Sequence, residues 1–544
     1  MASSMQNGQR QKAHRGPSRC LDAFTIALNQ ASGGTRWYEN RWYTSTKQLQ
    51  LASLEFCAAC RGVPTLDVRV EKGTPTRLWM GAPVRETRSA KKLISTRVAA
   101  VQAHAVTWRL PASALQSMGD ALSKAKRFTF GCTFNGDLRG VAWPRELKEI
   151  VFRYKFNRPI AGVTWPASLE TLVLGQLFNQ PLQGVVWPVS LKTLHVYSIL
   201  EFLPSLDQPL VGASGFSAGV TWPVSLQSLY LYGGFTQSID TIAWPPSLED
   251  LWIGGDFDQP ITGVNWPTSL KFLGLGGNFS QAIDSVTWPE SLKAIEFGDE
   301  FNEPIDGVQW PASLDQLEFG FYFDEPITGV NWPGSLKMLS LGMSFNQPIG
   351  EVTWPGLLEE IKFGDSFHQP IDEVRWPASL EQLTFGRDFN QPIDTVAWPP
   401  SLLKLSFGMR FNQPIADVSW PASLREITFS GNMDMVDKLM RVDEGDLELY
   451  GVLCDFNQPI NEVRWPPSLL KLTFGECFDQ PIDGIAWPAS LRELAFSRDF
   501  TLPSESFEWP ASLEKLTIAR RPNESLPVWP GVRVSRMWRD YWES

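Results

Sequence analysis

Hydrophobic positions along this chain recur every 22 residues, a period far longer than that of a helix or a strand. The copy from Trp376 to Ala397 reads WPASLEQLTFGRDFNQPIDTVA, with apolar residues at Trp376, Leu380, Leu383, Phe385, Phe389, Ile393 and Val396. Leu383, Thr384 and Phe385 alternate apolar, polar, apolar, which predicts a short strand with one face buried. Gly386, Arg387 and Asp388 read as a turn that brings Phe389 back inward. Ile393 to Trp398 predicts a second leg that is extended or polyproline-like, because Pro399 disfavours α conformation at Trp398 and removes a backbone donor. A single unit cannot bury seven apolar side chains. Stacked coils can, so the pattern predicts one continuous parallel solenoid.

The Trp-Pro pairs set the register. From Trp222 to Trp420 they advance in nine steps of 22, preceded by Trp143, Trp165 and Trp187 and followed by Trp465, Trp487, Trp509 and Trp529. The step from Trp187 to Trp222 is 35 residues, and the strand signal Leu194-His195-Val196 survives within it. This reads as one coil carrying 13 extra residues in two loops. The step from Trp420 to Trp465 is 45 residues. There Leu447-Glu448-Leu449-Tyr450 matches Leu229-Tyr230-Leu231-Tyr232, which predicts an additional worn coil with Met440 in the Trp slot. Ala112 to Arg127 holds no Pro and predicts a short N-terminal cap helix, and residues 531–544 break the pattern and predict a C-terminal cap.

The unit L-x-x-L-x-F/L-G-x-x-F-N-Q-P-I, with P-x-S-L upstream, resembles the FNIP repeat family, a variant of leucine-rich repeats. The match spans about residues 108–530 and recurs some 18 times, with Trp where the usual Leu precedes the Pro. The resemblance implies a mainly β, leucine-rich-repeat-like parallel solenoid used for protein interaction, with no catalytic residues. Some relatives join such repeats to an F-box or a kinase module. Residues 1–107 show neither an F-box Leu-Pro helix pattern nor the kinase Gly-loop, Lys and H-R-D signatures. A non-enzymatic interaction scaffold is therefore the expected function. The alternatives are a substrate-recognition subunit of a ubiquitin ligase with a degenerate adaptor-binding region in 1–107, and an enzyme whose catalytic part lies there.

Charge separates the N-terminal region from the array. Residues 1–107 hold 16 Lys and Arg against 6 Asp and Glu, a net of +10, so the −11 of the whole chain leaves −21 for the remainder. Residues 1–20 are polar and basic and predict a disordered tail; 21–107 carry apolar stretches without clear periodicity. An acidic array argues against a nucleic-acid partner. The longest apolar runs fall short of the ~18 residues of a membrane span, and no apolar stretch near the N-terminus has the length of a secretory signal. A cytoplasmic setting follows as the expectation. The pattern names neither the protein partner nor an oligomeric state.

Four His and six Cys leave little material for metal or His-based chemistry, and no cofactor is expected. Cys57-Ala-Ala-Cys60 has the spacing of half a zinc site but no second pair, so two ordinary thiols are expected. The Trp column reads as a core ladder, with Trp310 stacked between Trp288 and Trp332. Asn390 and its counterparts, including His368, read as residues that satisfy backbone groups. The Asp column of Asp284, Asp306 and Asp372 is interrupted by Thr262, Thr328 and Gly350, and reads as a solvated acidic edge rather than a calcium site. The binding surface is expected on the outward strand positions, where Tyr230, Tyr232, Trp252 and Phe272 would form an aromatic patch beside Glu296 and Glu318. Packing beneath the insertion of the preceding coil is the alternative for these rings.

Overall fold

A computed structural model describes residues 125–198, 220–429, 455–475, 477–496, 500–503, 507–518 and 529, together with the backbone of three outlying strands. The chain divides into two compact units between Leu49 and Gln50; the first lies outside the described residues, and every described residue belongs to the second. The expectations for the basic tail and for Cys57 and Cys60 fall outside the described residues.

Twenty strands form one sheet. They are β1 (Asp67–Arg69), β2 (Ala105–Trp108), β3 (Arg127–Phe130), β4 (Glu149–Val151), β5 (Thr171–Leu174), β6 (Thr193–Ser198), β7 (Ser228–Gly233), β8 (Asp250–Ile253), β9 (Phe272–Leu275) and β10 (Ala294–Glu296). The remainder are β11 (Gln316–Glu318), β12 (Met338–Ser340), β13 (Glu360–Lys362), β14 (Gln382–Thr384), β15 (Lys404–Ser406), β16 (Glu426–Thr428), β17 (Lys471–Thr473), β18 (Glu493–Phe496), β19 (Lys515–Ile518) and β20 (Arg533–Arg536). Each strand from β2 onward pairs parallel with the next, and β1 alone runs antiparallel, on β2. The register is uniform: Leu317, Leu339, Ile361, Leu383 and Leu405 lie in one inward row. The segment expected to end the pattern adds β20 in the same parallel sense.

The repeated apolar residues fill the inside. Leu380, Leu383, Phe389 and Ile393 are all buried, as are their counterparts along the array. Phe385 meets Phe389 at 4.0 Å within its coil and Phe407 at 5.8 Å in the next. In most coils the residue directly after this row is glycine, and these glycines have no room for a side chain. A Cβ on Gly386 would lie 1.9 Å from the carbonyl oxygen of Gly364, and Gly298, Gly320, Gly342, Gly364 and Gly408 stand equally close to the coil before.

Three expectations need correction. The second leg is not a strand. It opens on a turn, with Val374 N–H donating to Ile371 O (3.3 Å), runs through 374–377 with neither turn nor strand, and is followed by a second turn in which Leu380 N–H donates to Pro377 O (3.1 Å). Proline removes a donor from each such leg, so its backbone closes on itself at these turns and side chains bridge the coils there. Second, β16 pairs directly with β17. Phe456 packs on Phe429 at 4.1 Å, as Phe411 does on Phe407. The long step is therefore one coil with an insertion at 430–454, and no worn coil with Met440 intervenes. The insertion itself lies outside the described residues. Third, the cap helix is not found at its C-terminal end: Ala125 and Lys126 are non-helical and Arg127 opens β3, while 109–124 lie outside the described residues. The 35-residue step does behave as a single coil, since β6 pairs with β7; residues 199–219, where its loops were expected, lie outside the described residues.

Candidate interaction surface

The side of the coil that carries the turns is held together by a polar ladder. The backbone N–H of Asn412 donates to Oδ1 of Asn390 (2.9 Å), and Nε2 of Gln413 donates to the same oxygen (3.0 Å). The bond repeats from Asn346 N–H to Asp324 Oδ1 (2.7 Å) and from Asn457 N–H to Asn412 Oδ1 (3.0 Å), the latter across the insertion. Asn390 N–H donates to Nδ1 of His368 (3.2 Å), so that nitrogen carries no proton in this arrangement. A column of serines adds a third seam, as Ser401 Oγ donates to Leu380 O (2.6 Å). These columns answer backbone groups and hold no chemistry to spare. Asn390→Asp keeps the acceptor, as Asp324 does, and is expected to be tolerated. Asn390→Leu strands a backbone donor and should cost about 1–3 kcal/mol in chemical denaturation.

The Trp column is core, as expected, with one difference. Trp310 is 9% exposed. It stacks on Trp288 (6.2 Å between centroids, 15°) and meets the edge of Phe297 at 6.4 Å. No such ring contact joins Trp310 to Trp332, which is half-buried. Close stacking comes in pairs, as in Trp354/Trp376 and Trp398/Trp420, rather than as an unbroken ladder.

On the outer face of the sheet, register sorts the predicted residues into rows. Tyr230, Trp252, Gly274, Glu296 and Glu318 follow one another in one row. Phe272 belongs to the neighbouring row with Ser228 and Asp250, and Tyr232 pairs with Tyr197 beyond them. Trp252, Phe272, Tyr232, Glu296 and Glu318 are half-buried, but Tyr230 is only 6% exposed. Tyr230 is therefore not an open surface residue.

Its burial begins with two residues that sequence reasoning missed, His195 and Tyr197, the outward positions of β6. His195 stacks on Tyr230 at 4.4 Å (7°), and Tyr197 on Tyr232 at 4.5 Å (11°), giving a block of four parallel rings. Their alternation with Leu194 and Val196 was the signal that could have found them. Burial holds the His195 imidazole down at a pKa of about 4, so the ring is neutral near pH 7. Trp252 lies across the sheet: a Cβ on Gly274 would fall 1.9 Å from its Cε3 atom, and Phe272 stacks beside it at 6.2 Å. Nδ1 of His195 and Nε1 of Trp252 are both buried without a hydrogen-bond partner. Ser228 Oγ donates to Asp250 (2.8 Å), whose carboxyl burial pushes above its ordinary range. Three exposed valines, Val186, Val189 and Val224, sit at the Trp-Pro corners leading into β6 and β7.

Further along, the same face changes character. Lys404, Glu426, Lys471, Glu493 and Lys515 alternate in sign down one row, with Lys515 3.6 Å from Glu493. The position before each strand pairs likewise, here as Lys337 with Glu359 (2.9 Å) and, back in the aromatic stretch, as Lys271 with Glu249 (2.8 Å). Such exposed pairs contribute under about 1 kcal/mol each, but they leave that half of the face self-neutralised.

The coil geometry just described agrees with a family profile described as "FNIP Repeat", which matches residues 156–198, 257–300, 279–322, 345–388, 367–409, 389–432 and 456–499. The matched coils are FNIP repeats. Among solved structures, the FNIP array is similar to CroV588, described as a novel circular LRR protein, at 28% identity and a TM-score of 0.54, over 78% of this chain and 67% of that one. A component of the Drosophila Toll–Spatzle complex matches at 12% identity and a TM-score of 0.45, over 76% of this chain and 54% of that one. An internalin, InlF, of Listeria monocytogenes matches at 12% identity and a TM-score of 0.37, over 57% and 88%. No curated protein sequence matches the chain. Among the described residues, no helix is long and apolar enough to cross a membrane, and no three His, Cys, Asp or Glu side chains gather as metal ligands would.

Proposed function

We propose that this FNIP array is a non-catalytic scaffold for protein–protein interaction, docking its partner on the outer sheet face between β6 and β11. One observation carries the reading. Most of the face beyond β12 carries charges that pair from coil to coil, whereas β6 to β9 replace them with His195, Tyr197, Tyr230, Tyr232, Trp252 and Phe272. Half-buried aromatic rings on a rigid sheet are what hot spots are made of. The exposed valines at the adjoining corners extend the apolar area in the same coils.

The test compares affinity capture by the full chain and two double variants. Tyr232→Ser/Phe272→Ser alters half-exposed rings, and Lys404→Gln/Glu493→Gln alters the self-paired half. Proteins captured by the wild type and the second variant should be lost by the first, with melting temperatures within about 2–4 °C of one another, the equivalent of under about 1 kcal/mol. Unchanged capture by Tyr232→Ser/Phe272→Ser would sink the reading. Tyr230 is unsuitable as a probe, because truncating a side chain this buried lowers stability by itself.

A further inference from the structure

The proposed docking face has a sign, and the inference drawn from it rests on the reading above. The two outward rows from β4 to β12 carry Glu149, Asp250, Glu296 and Glu318 and not one Lys or Arg. Their one basic side chain, His195, is half-buried, and desolvation keeps it neutral near pH 7. Cations re-enter these rows at Lys362 and Lys404. These two rows thus join aromatic rings to carboxylates, while Lys192, Lys271 and Lys293 stand at the position before the strands, Lys271 held by Glu249 at 2.8 Å. One packing feature is specific to this stretch: Trp252 is laid flat over Gly274, a position where any Cβ would displace it, so the rings are held in place on the sheet.

We infer that the partner presents an extended segment rich in arginine. A guanidinium is planar and weakly hydrated, so it stacks on Tyr and Trp faces while its N–H groups reach neighbouring carboxylates. Ring block and carboxylates lie on successive strands, so an extended segment running across the strands meets rings first and then Glu296 and Glu318. A polyanion meets repulsion from these carboxylates and from an array of net −21, which disfavours nucleic acid as the occupant.

The experiment is fluorescence anisotropy on the full chain with a labelled nine-residue peptide of alternating arginine and glycine, a citrulline counterpart and a lysine counterpart. Citrulline keeps the planar group and removes the charge; lysine keeps the charge and removes the plane. The arginine peptide should bind saturably, with both counterparts about tenfold weaker or more, the span of one or two desolvated cation–π contacts. Glu296→Gln/Glu318→Gln should weaken the arginine peptide about fivefold and flatten its salt dependence, and Glu493→Gln should leave it unchanged. Three results would overturn the inference: no saturable binding of the arginine peptide, equal binding of citrulline, or an equal loss in Glu493→Gln, which would mark diffuse attraction to an acidic protein. If the peptide fails while Tyr232→Ser/Phe272→Ser still abolishes capture, the cationic partner falls and the docking face stands. If capture survives that variant, the docking face itself falls.

Discussion

Gly386→Ala should disrupt the array at its own coil. The added Cβ would stand 1.9 Å from the carbonyl oxygen of Gly364, and the atom it strikes is backbone, which has no rotamer to escape into. Relief requires the two coils to part, yet Leu383, Phe385 and Phe389 are buried in the contact between them. The cost should reach or exceed about 3 kcal/mol, the upper end for overpacking. Because each coil touches only its neighbours, the damage should stay local. Hydrogen exchange should show lost protection around β13 to β15, with β3 to β8 unaffected. Gly356→Ala is the control: its Cβ would meet nothing within 4 Å, and it should melt as the wild type does. Equal melting of the two variants would mean that the glycine column does not set the coil spacing.

Trp310→Ala should cost about 3–5 kcal/mol, as removal of a large core side chain does. The indole is 9% exposed, stacked on Trp288 and met at its edge by Phe297, so truncation leaves a void lined by two aromatic rings. Trp332→Ala should cost less, because Trp332 is half-buried and belongs to no close stacked pair. Chemical denaturation of both variants, read by fluorescence, separates the two. A Trp310→Ala variant that unfolds like the wild type would make the Trp column a surface feature and would reopen ligand stacking as its purpose.

The ring block shows where sequence reading stops. Tyr230, Tyr232, Trp252 and Phe272 could be placed on the outer face from strand alternation alone, and register confirms the placement. Their exposure could not. Whether an outward Tyr is open depends on which residue stands beside it one coil away, 35 positions earlier in the case of His195. Likewise, nothing local to Gly274 tells that the indole of Trp252 lies over it.

The 22-residue repeat by itself determined the solenoid, the inward phase of Leu383, Phe385, Phe389 and Ile393, and the polar seam of Asn390, because these depend only on local geometry copied coil after coil. What the coils do to one another was settled by tertiary structure. The 45-residue step looked like an extra coil, since Leu447 to Tyr450 has a strand's alternation, but β16 joins β17 directly and leaves no layer for it. The second leg looked extended, since proline forbids helix, but the carbonyls at its two ends close local turns once side chains bridge the coils. In each case the local pattern was compatible with two arrangements, and contacts between distant residues chose between them.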